Sequence, residues 1–375
     1  MSRQRVLGSI LALAGVAVFT FALSGLLPIG YDFYHYYWPI PRAWLAGETH
    51  LYDDASRGFY SPPWTLWLLL PFTVWDIHLG MAAFTVSSLA MVSGVGYLYL
   101  REAGAGRQAW LILLLAAICP YTLSVLFVGT LDAWSLLGVY LSYRALRAEK
   151  PWLLGAGLML ALVRPQNAVL TAPVLLLALR HWNTRDLASA AVVPALVLAG
   201  SFVGFGLDWP LRWWQNLSAL PPIPYLVTST YAATNAGGIP LPLVLLGSAV
   251  LVGVVVRRVW QEGIHPGTLD LTVTANAVVS PYMLSQSYAL LLVLPWARLA
   301  LRRPWLAALP YAVTPLLLIR AQGLWDRLGL LDATFPIILL VLLLIEPRLR
   351  SPAQPAPPAS REPVTRDQPL PSERI

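Results

Sequence analysis

Four short polar clusters interrupt an otherwise apolar sequence, and each contains residues suited to acid–base chemistry or anion binding. They span residues 31–35, 129–132, 164–167 and 280–288. An Arg or Asp at membrane depth costs about 2.5–3.5 kcal/mol on insertion scales, so charged residues retained there usually serve a function. Each cluster lies at or near the end of an apolar run. We therefore expect the four clusters to converge on one site.

Asp32 and Arg164 are the main catalytic candidates. Asp32 directly follows the first apolar run, where its carboxylate could accept the proton of an attacking hydroxyl as a general base. Its structural alternative is to cap a helix over residues 33–46. Arg164 interrupts an apolar stretch, and its guanidinium could hold a phosphate by paired, charge-assisted hydrogen bonds. Its alternative is a structural arginine that extends to the membrane interface.

Six further residues are candidates for the same pocket: His35, Tyr60, Asp132, Gln166, Tyr282 and Gln286. Asp132 follows a break at Gly129, so it could instead cap the next helix. A single histidine in an aromatic run is more often packed or solvated than catalytic. The sequence has one cysteine, and the adjacent Asp53 and Asp54 lack a third ligand. We expect neither a metal nor a cofactor.

The elements that must position these residues are transmembrane helices. The chain of 375 residues is 57% hydrophobic and 11% charged, whereas a soluble domain carries about 25% charged residues. Helices satisfy their own backbone hydrogen bonds in lipid. Several apolar runs are shorter than the roughly 17 residues that a crossing needs, so we expect broken or half-helices. The candidate spans are 6–27, 64–100, 108–126, 129–145, 152–162, 167–180, 187–206, 237–256, 268–283, 286–298, 304–320 and 328–346.

The span 64–100 is too long for one straight helix. Pro71 and Asp76 predict a short first piece and a longer second one. Counted as one crossing, this span gives a topology in which 19 of the 25 Lys and Arg residues share the side of the N-terminus. Two crossings would invert every later loop. The positive-inside rule favours one crossing, with both termini cytoplasmic.

This topology predicts a multi-pass membrane protein, which we expect in the plasma (inner) membrane. The transmembrane domain covers residues 1–346, and a disordered, Pro-rich cytoplasmic tail covers 347–375. Long outer loops cover 28–63 and 207–240, and the tryptophans at 209–214 suit a segment at headgroup level. The topology accounts for the net charge of +7. We expect membrane lipids as partners and no nucleic acid.

An Asp after the first helix is followed in the first outer loop by a Leu-Ala-Gly segment and a Tyr-x-Pro-Pro segment. In these features the loop resembles that of GT-C glycosyltransferases, in particular glycosyltransferase family 87, and weaker counterparts follow along the chain. Thr130 replaces a usual Gln, Arg164 replaces a usual Lys, and residues 282–288 lack a His or a Tyr-Asp pair. The matching segments are 32–34, 45–52, 60–63 with Pro71, 129–132, 161–165 and 280–282.

The resemblance implies an all-α, GT-C-like transmembrane bundle of about 10–13 helices with a structured first outer loop. It also implies an inverting transferase with Asp32 as the base. The enzyme would move a hexose such as mannose from a polyprenyl-phosphate donor to a lipid or glycan acceptor on the extracytoplasmic face. Arg164 would then stabilise the donor phosphate.

Two other functions remain open at this point. A transporter or lipid flippase would also contain broken helices and a buried arginine, although the sequence shows no inverted repeat and its polar clusters gather on one side. A non-catalytic membrane scaffold would leave that one-sided clustering unexplained.

Overall fold

The structure is a computed structural model that describes residues 3–48, 51–52, 59–218, 234, 238–312 and 333–345. These residues form a bundle of α-helices without a β-strand, so the predicted all-α class is confirmed. The predicted tail, the acidic pair at 53–54 and part of the second long loop lie outside the described residues.

The described residues contain 16 α-helices. Short 3₁₀ or π turns join several of them, at Phe33–Tyr37, Pro165–Asn167, Ala178–His181, Ser285–Tyr288, Leu292–Trp296 and Pro304–Ala308. The helices are α1 (Arg3–Ser24), α2 (Pro39–Leu45), α3 (Thr65–Thr73), α4 (Ile77–Glu102), α5 (Gln108–Ile118), α6 (Pro120–Val128), α7 (Asp132–Arg147), α8 (Pro151–Ala161), α9 (Thr171–Leu177), α10 (Thr184–Phe205), α11 (Trp209–Ser218), α12 (Leu241–Glu262), α13 (Pro266–Val279), α14 (Ala289–Leu291), α15 (Ala297–Arg302) and α16 (Thr334–Ile345).

Three of the described helices, α4, α10 and α12, are long and apolar enough to cross a membrane. The pair α5 and α6, bent by 56°, could form a fourth span. The bend falls at Pro120, which has no backbone N–H to continue the ladder of α5. Large apolar side chains are exposed along α1, α5, α10 and α12, as expected for surfaces that face lipid.

The span 64–100 divides into a short and a long helix, as Pro71 and Asp76 predicted. Asp76 starts α4, because its carboxylate accepts hydrogen bonds from the backbone N–H groups of His78 (3.0 Å) and Leu79 (3.1 Å). Helix α3 has nine residues, or about 13 Å at 1.5 Å per residue, well below the roughly 30 Å of a hydrocarbon core. Of the two helices, only α4 is long enough to cross.

Helices α7 and α8 pack closely because glycines line their contact. A Cβ on Gly138 would lie 2.1 Å from the backbone nitrogen of Ala161, and a Cβ on Gly157 would lie 2.6 Å from the Ser142 hydroxyl. The Ser135 hydroxyl donates a hydrogen bond to the carbonyl of Ala161 at 2.9 Å. Small residues commonly allow this close approach between membrane helices. The contact fixes the start of α7 relative to the end of α8.

A cluster of buried apolar side chains supports one end of the bundle, which we call the site end. It includes Phe33, Leu131 and Val163, all fully buried. Each of these is the sequence neighbour of a predicted polar site residue. Because each of these apolar residues is buried, the polar residue next to it in sequence is held against this core.

Helix α11 lies across the first long loop. The indole of Trp213 donates a hydrogen bond to the carbonyl of Tyr60 (2.9 Å), and the Asn216 amide donates one to the carbonyl of Phe59 (2.9 Å). Leu211 and Trp214 are exposed on the same helix. An amphipathic helix with these features suits the predicted position at headgroup level.

Candidate active site

Asp32 directly precedes a π-helical turn, Phe33–Tyr37, rather than a continuous helix over 33–46. The wider turn buries both Phe33 and Tyr37, and π turns of this kind are frequent at functional sites. The Asp32 side chain makes no capping hydrogen bond. The capping alternative for Asp32 is therefore wrong, and its carboxylate is available for other contacts.

Two glycines bring this turn against the end of α6. A Cβ on Gly30 would lie 2.5 Å from the carbonyl oxygen of Val128. Gly129 ends α6 with a positive φ of 77°, and a Cβ there would lie 2.8 Å from the Cβ of Phe33. Only glycine tolerates these close backbone approaches and the positive φ of Gly129 without strain. The close contact places Asp32 near the start of α7.

Arg164 lies between two carboxylates that are distant in sequence. Its Nη2 is 3.4 Å from Oδ2 of Asp32, and its Nη1 is 3.4 Å from Oδ2 of Asp132. The side chains of Arg164 and Asp132 are 7% and 0% exposed, whereas that of Asp32 is 17% exposed. We call these three residues the carboxylate–arginine triad. Asp32 is its most accessible member.

Neutral donors fix the Asp132 carboxylate. Its Oδ1 accepts hydrogen bonds from the Asn167 amide and the Ser287 hydroxyl, both at 2.7 Å. Its Oδ2 accepts one from the Thr130 hydroxyl at 2.6 Å. Leu131 is the residue that precedes α7, and Asp132 is the first residue of that helix. The capping alternative for Asp132 is therefore wrong, because its side chain joins the polar clusters instead.

Asn276, within the apolar helix α13, holds the backbone that follows Arg164. Its amide donates to the carbonyl of Gln166 at 3.0 Å. Its side-chain oxygen accepts from the backbone N–H groups of Leu170 (2.8 Å) and Thr171 (3.3 Å). This clamp satisfies backbone groups where the chain is not α-helical, and it steadies the segment that carries Arg164.

The charges of the triad do not balance, since two carboxylates share one guanidinium. Burial raises the pKa of Asp32, Arg164 opposes that rise, and the negative charge of Asp132 adds to it. Burial acts to lower the pKa of Arg164, but the neighbouring negative charges outweigh it, so the guanidinium stays protonated. Asp32 is thus the accessible group that can exchange a proton, as a general base requires.

Three tyrosine side chains lie in the region of the triad. The charges of Arg164 and Asp32 both act on the phenols of Tyr37 and Tyr282. Tyr60 is close enough to Tyr282 for the two phenols to influence each other. Burial raises the pKa of all three phenols. They remain protonated at neutral pH and can donate hydrogen bonds to a polar ligand.

The remaining predicted residues lie at the edge of this arrangement. His35 packs against Tyr31 with ring centroids 4.3 Å apart. Gln166 contributes its backbone carbonyl to the Asn276 clamp. Gln286 is half-buried. The side chains of Asn167 and Ser287, which directly follow these two glutamines, are the ones that reach Asp132.

Tyr37 and Asn276 lie outside the four polar clusters predicted from the sequence. Thr130, Asn167 and Ser287 lie within those clusters but were not named as pocket candidates. The available signal was a polar side chain in or beside an apolar helix. Among the described residues, no group of three or more His, Cys, Asp or Glu side chains is placed to hold a metal ion.

A family model described as glycosyltransferase family 87 matches residues 59–285, which is more than half of the chain. The matched region contains Asp132 and Arg164 and begins after Asp32. Neither a curated protein nor a solved structure matches the chain.

Proposed function

Because the chain belongs to glycosyltransferase family 87, we propose that its reaction takes place at the carboxylate–arginine triad. The proposed reaction moves a hexose, such as mannose, from a polyprenyl-phosphate donor to a hydroxyl group of a lipid or glycan acceptor. The observation that carries this proposal is the pairing of Asp32 with Arg164 across 3.4 Å. A proton acceptor and a cation for phosphate are the two groups that the reaction needs.

Asp32 is the proposed general base. It is the most exposed carboxylate of the triad, and burial raises its pKa towards the range where a base is most effective. The acceptor hydroxyl would attack the anomeric carbon from the face opposite the phosphate. Its proton would pass to Asp32 as the new glycosidic bond forms, and the configuration at the anomeric carbon would invert.

Arg164 is the proposed partner of the leaving phosphate. The bond between the anomeric carbon and the phosphate oxygen breaks, and negative charge develops on the polyprenyl phosphate that departs. A guanidinium already fixed in place stabilises that charge without reorganisation. Its contacts to the two carboxylates, each 3.4 Å, are longer than the 2.7–2.9 Å of strong charge-assisted bonds. Neither carboxylate therefore saturates the guanidinium.

The surroundings of the triad suit a lipid-linked donor. Helices α4, α10 and α12 are long and apolar enough to cross lipid, and α11 carries exposed Leu211 and Trp214 beside the first long loop. A polyprenyl chain could lie in the membrane while its phosphate reaches the site end. The charge distribution along the chain supports an extracytoplasmic position for that end and cytoplasmic termini. The proposed location is the plasma (inner) membrane.

The test is the Asp32→Asn variant in proteoliposomes supplied with polyprenyl-phosphate mannose and a lipid acceptor. Turnover should fall about 10²–10⁴-fold, the usual contribution of a general base. Asp76→Asn is the matched control, because Asp76 caps α4 and asparagine caps helices equally well. Near-normal turnover of Asp32→Asn would remove Asp32 from the mechanism. Movement of the donor across sealed vesicles without any glycosyl product would instead support a transporter.

A further inference from the structure

Asp132 is the most enclosed member of the triad, yet it belongs to no step of the proposed transfer. Its side chain has no exposed surface. Three hydrogen bonds reach it from three segments, at Thr130, Asn167 and Ser287. A buried carboxylate with this many fixed partners cannot turn toward a substrate. Its role must be exerted through the groups that it contacts.

The two oxygens of Asp132 divide their partners. Oδ1 accepts from Asn167 and Ser287, whereas Oδ2 accepts from Thr130 and faces Nη1 of Arg164 at 3.4 Å. The other terminal nitrogen of Arg164, Nη2, faces Asp32 at the same distance. The orientation of Asp132 therefore determines how the guanidinium is presented to Asp32.

We propose that Asp132 is a positioning residue that competes with Asp32 for the charge of Arg164 and so keeps Asp32 a strong base. The inference rests on the proposed role of Asp32 and adds a second carboxylate to it. Without the negative charge of Asp132, Arg164 would pair with Asp32 alone. Asp32 would then hold a proton less strongly and would accept one from the acceptor hydroxyl less readily.

The electrostatics of Asp32 agree with this geometry. Burial raises the pKa of Asp32 most, Arg164 lowers it, and Asp132 raises it. The effect of Asp132 must be separated from the other titratable and charged groups that face Asp32. These are Arg164, His35, Tyr36, Tyr37 and Tyr282.

The test is the pH dependence of kcat for Asp132→Asn, measured in proteoliposomes with polyprenyl-phosphate mannose as donor. The acidic limb should move to lower pH by about 1–2 units, the size of effect that a nearby charge exerts. The matched control is Ser287→Ala, which removes one hydrogen bond to Asp132 but leaves its charge, so the limb should stay in place. The same profile in a His35→Gln background removes any contribution of the His35 side chain.

A limb that stays at the wild-type pH in Asp132→Asn, with only the rate reduced, would show a purely structural role and overturn the proposal. Thr130→Val keeps the test possible if Asp132→Asn does not fold. Loss of the Thr130 hydroxyl frees Oδ2 of Asp132 to pair more closely with Arg164. The limb should then move in the opposite direction, to higher pH, and an unmoved or lowered limb would contradict the proposal.

Failure of this inference can be distinguished from failure of the proposed function. If the wild-type protein forms no glycosyl product, the proposed function fails. If the wild type is active, Asp32→Asn is inactive and the limbs of Asp132→Asn and Thr130→Val do not move, only the role of Asp132 fails.

Discussion

Replacing Arg164 by glutamine removes the cation that both carboxylates share. Two unit charges about 4 Å apart interact by about 4 kcal/mol at an effective dielectric constant of 20. At about 1.4 kcal/mol per pH unit, this corresponds to about three pH units for Asp32. Arg164 is also divided between two carboxylates at equal distances of 3.4 Å, so we expect a shift of about two units. The acidic limb of the rate profile should therefore move to higher pH.

The assay is the pH profile of kcat for glycosyl transfer by Arg164→Gln in proteoliposomes. On the acidic side of the wild-type limb, turnover should fall about 100-fold, because a shift of two pH units lowers the ionised fraction of Asp32 by that factor. Part of this loss should be recovered at higher pH, where Asp32 ionises. The plateau should remain below that of the wild type, since the leaving phosphate also loses its cation.

Two further variants serve as comparisons for Arg164→Gln. Arg164→Lys keeps the charge but loses the planar pair of donors, so its limb should move by less than that of Arg164→Gln. Arg144→Gln breaks an ion pair with Glu102 in which the arginine side chain is 46% exposed, and it should change neither the limb nor the rate. A limb of Arg164→Gln that coincides with the wild-type limb would refute the electrostatic role of Arg164, even if the rate fell.

Three further predictions concern stability. Because burial raises the pKa of Asp32 in the folded protein, the folded protein binds a proton there more strongly than the unfolded chain does. Its stability should therefore fall as pH rises through that raised pKa. Asp32→Asn should raise Tm above the wild-type value at neutral pH but not at pH 4, and a Tm equal to that of the wild type at neutral pH would contradict the sign. Gly138→Ala should destabilise the bundle by about 1–3 kcal/mol, because the new Cβ would lie 2.1 Å from the backbone nitrogen of Ala161. Gly94→Ala is the control, since a Cβ there would meet no atom within 4 Å. Equal denaturation midpoints for the two variants would disprove the close contact. Asp270→Asn removes the carboxylate that pairs with Arg298, whose side chain is 2% exposed, and should cost about 3–5 kcal/mol. Glu102→Gln at the more exposed pair with Arg144 should cost at most about 1 kcal/mol. Similar losses of folded yield in the two variants would count against the importance of the buried pair.

The helices were largely predictable from the sequence, because an apolar run longer than a few turns has few alternatives in lipid. The span 64–100 is a clear case, since Pro71 and Asp76 predicted a short helix followed by a longer one, and α3 and α4 have those lengths. The π turn after Asp32 was not predictable. It depends on burying Phe33 and Tyr37 together against a core formed by distant helices.

The candidate site was predictable in its charges but not in its neutral partners. Asp32, Asp132 and Arg164 stood out because charged residues are rare in such a sequence. Ser287 and Asn167 lay within the predicted polar clusters but were not named as pocket candidates, because Ser and Asn occur in many helices without a role. Their importance comes from direct hydrogen bonds to Asp132. Ser287 lies more than 100 residues from Asp132 in the sequence, and no local pattern reveals a contact at that separation.

The central claim is that donor, base and cation meet at the carboxylate–arginine triad. A structure with a bound, non-transferable analogue of a polyprenyl-phosphate sugar measures this directly. We predict the phosphate within hydrogen-bond distance of Arg164 and the anomeric carbon facing the Asp32 side of the site. A phosphate bound elsewhere, such as beside the buried pair of Asp270 and Arg298, would contradict the account.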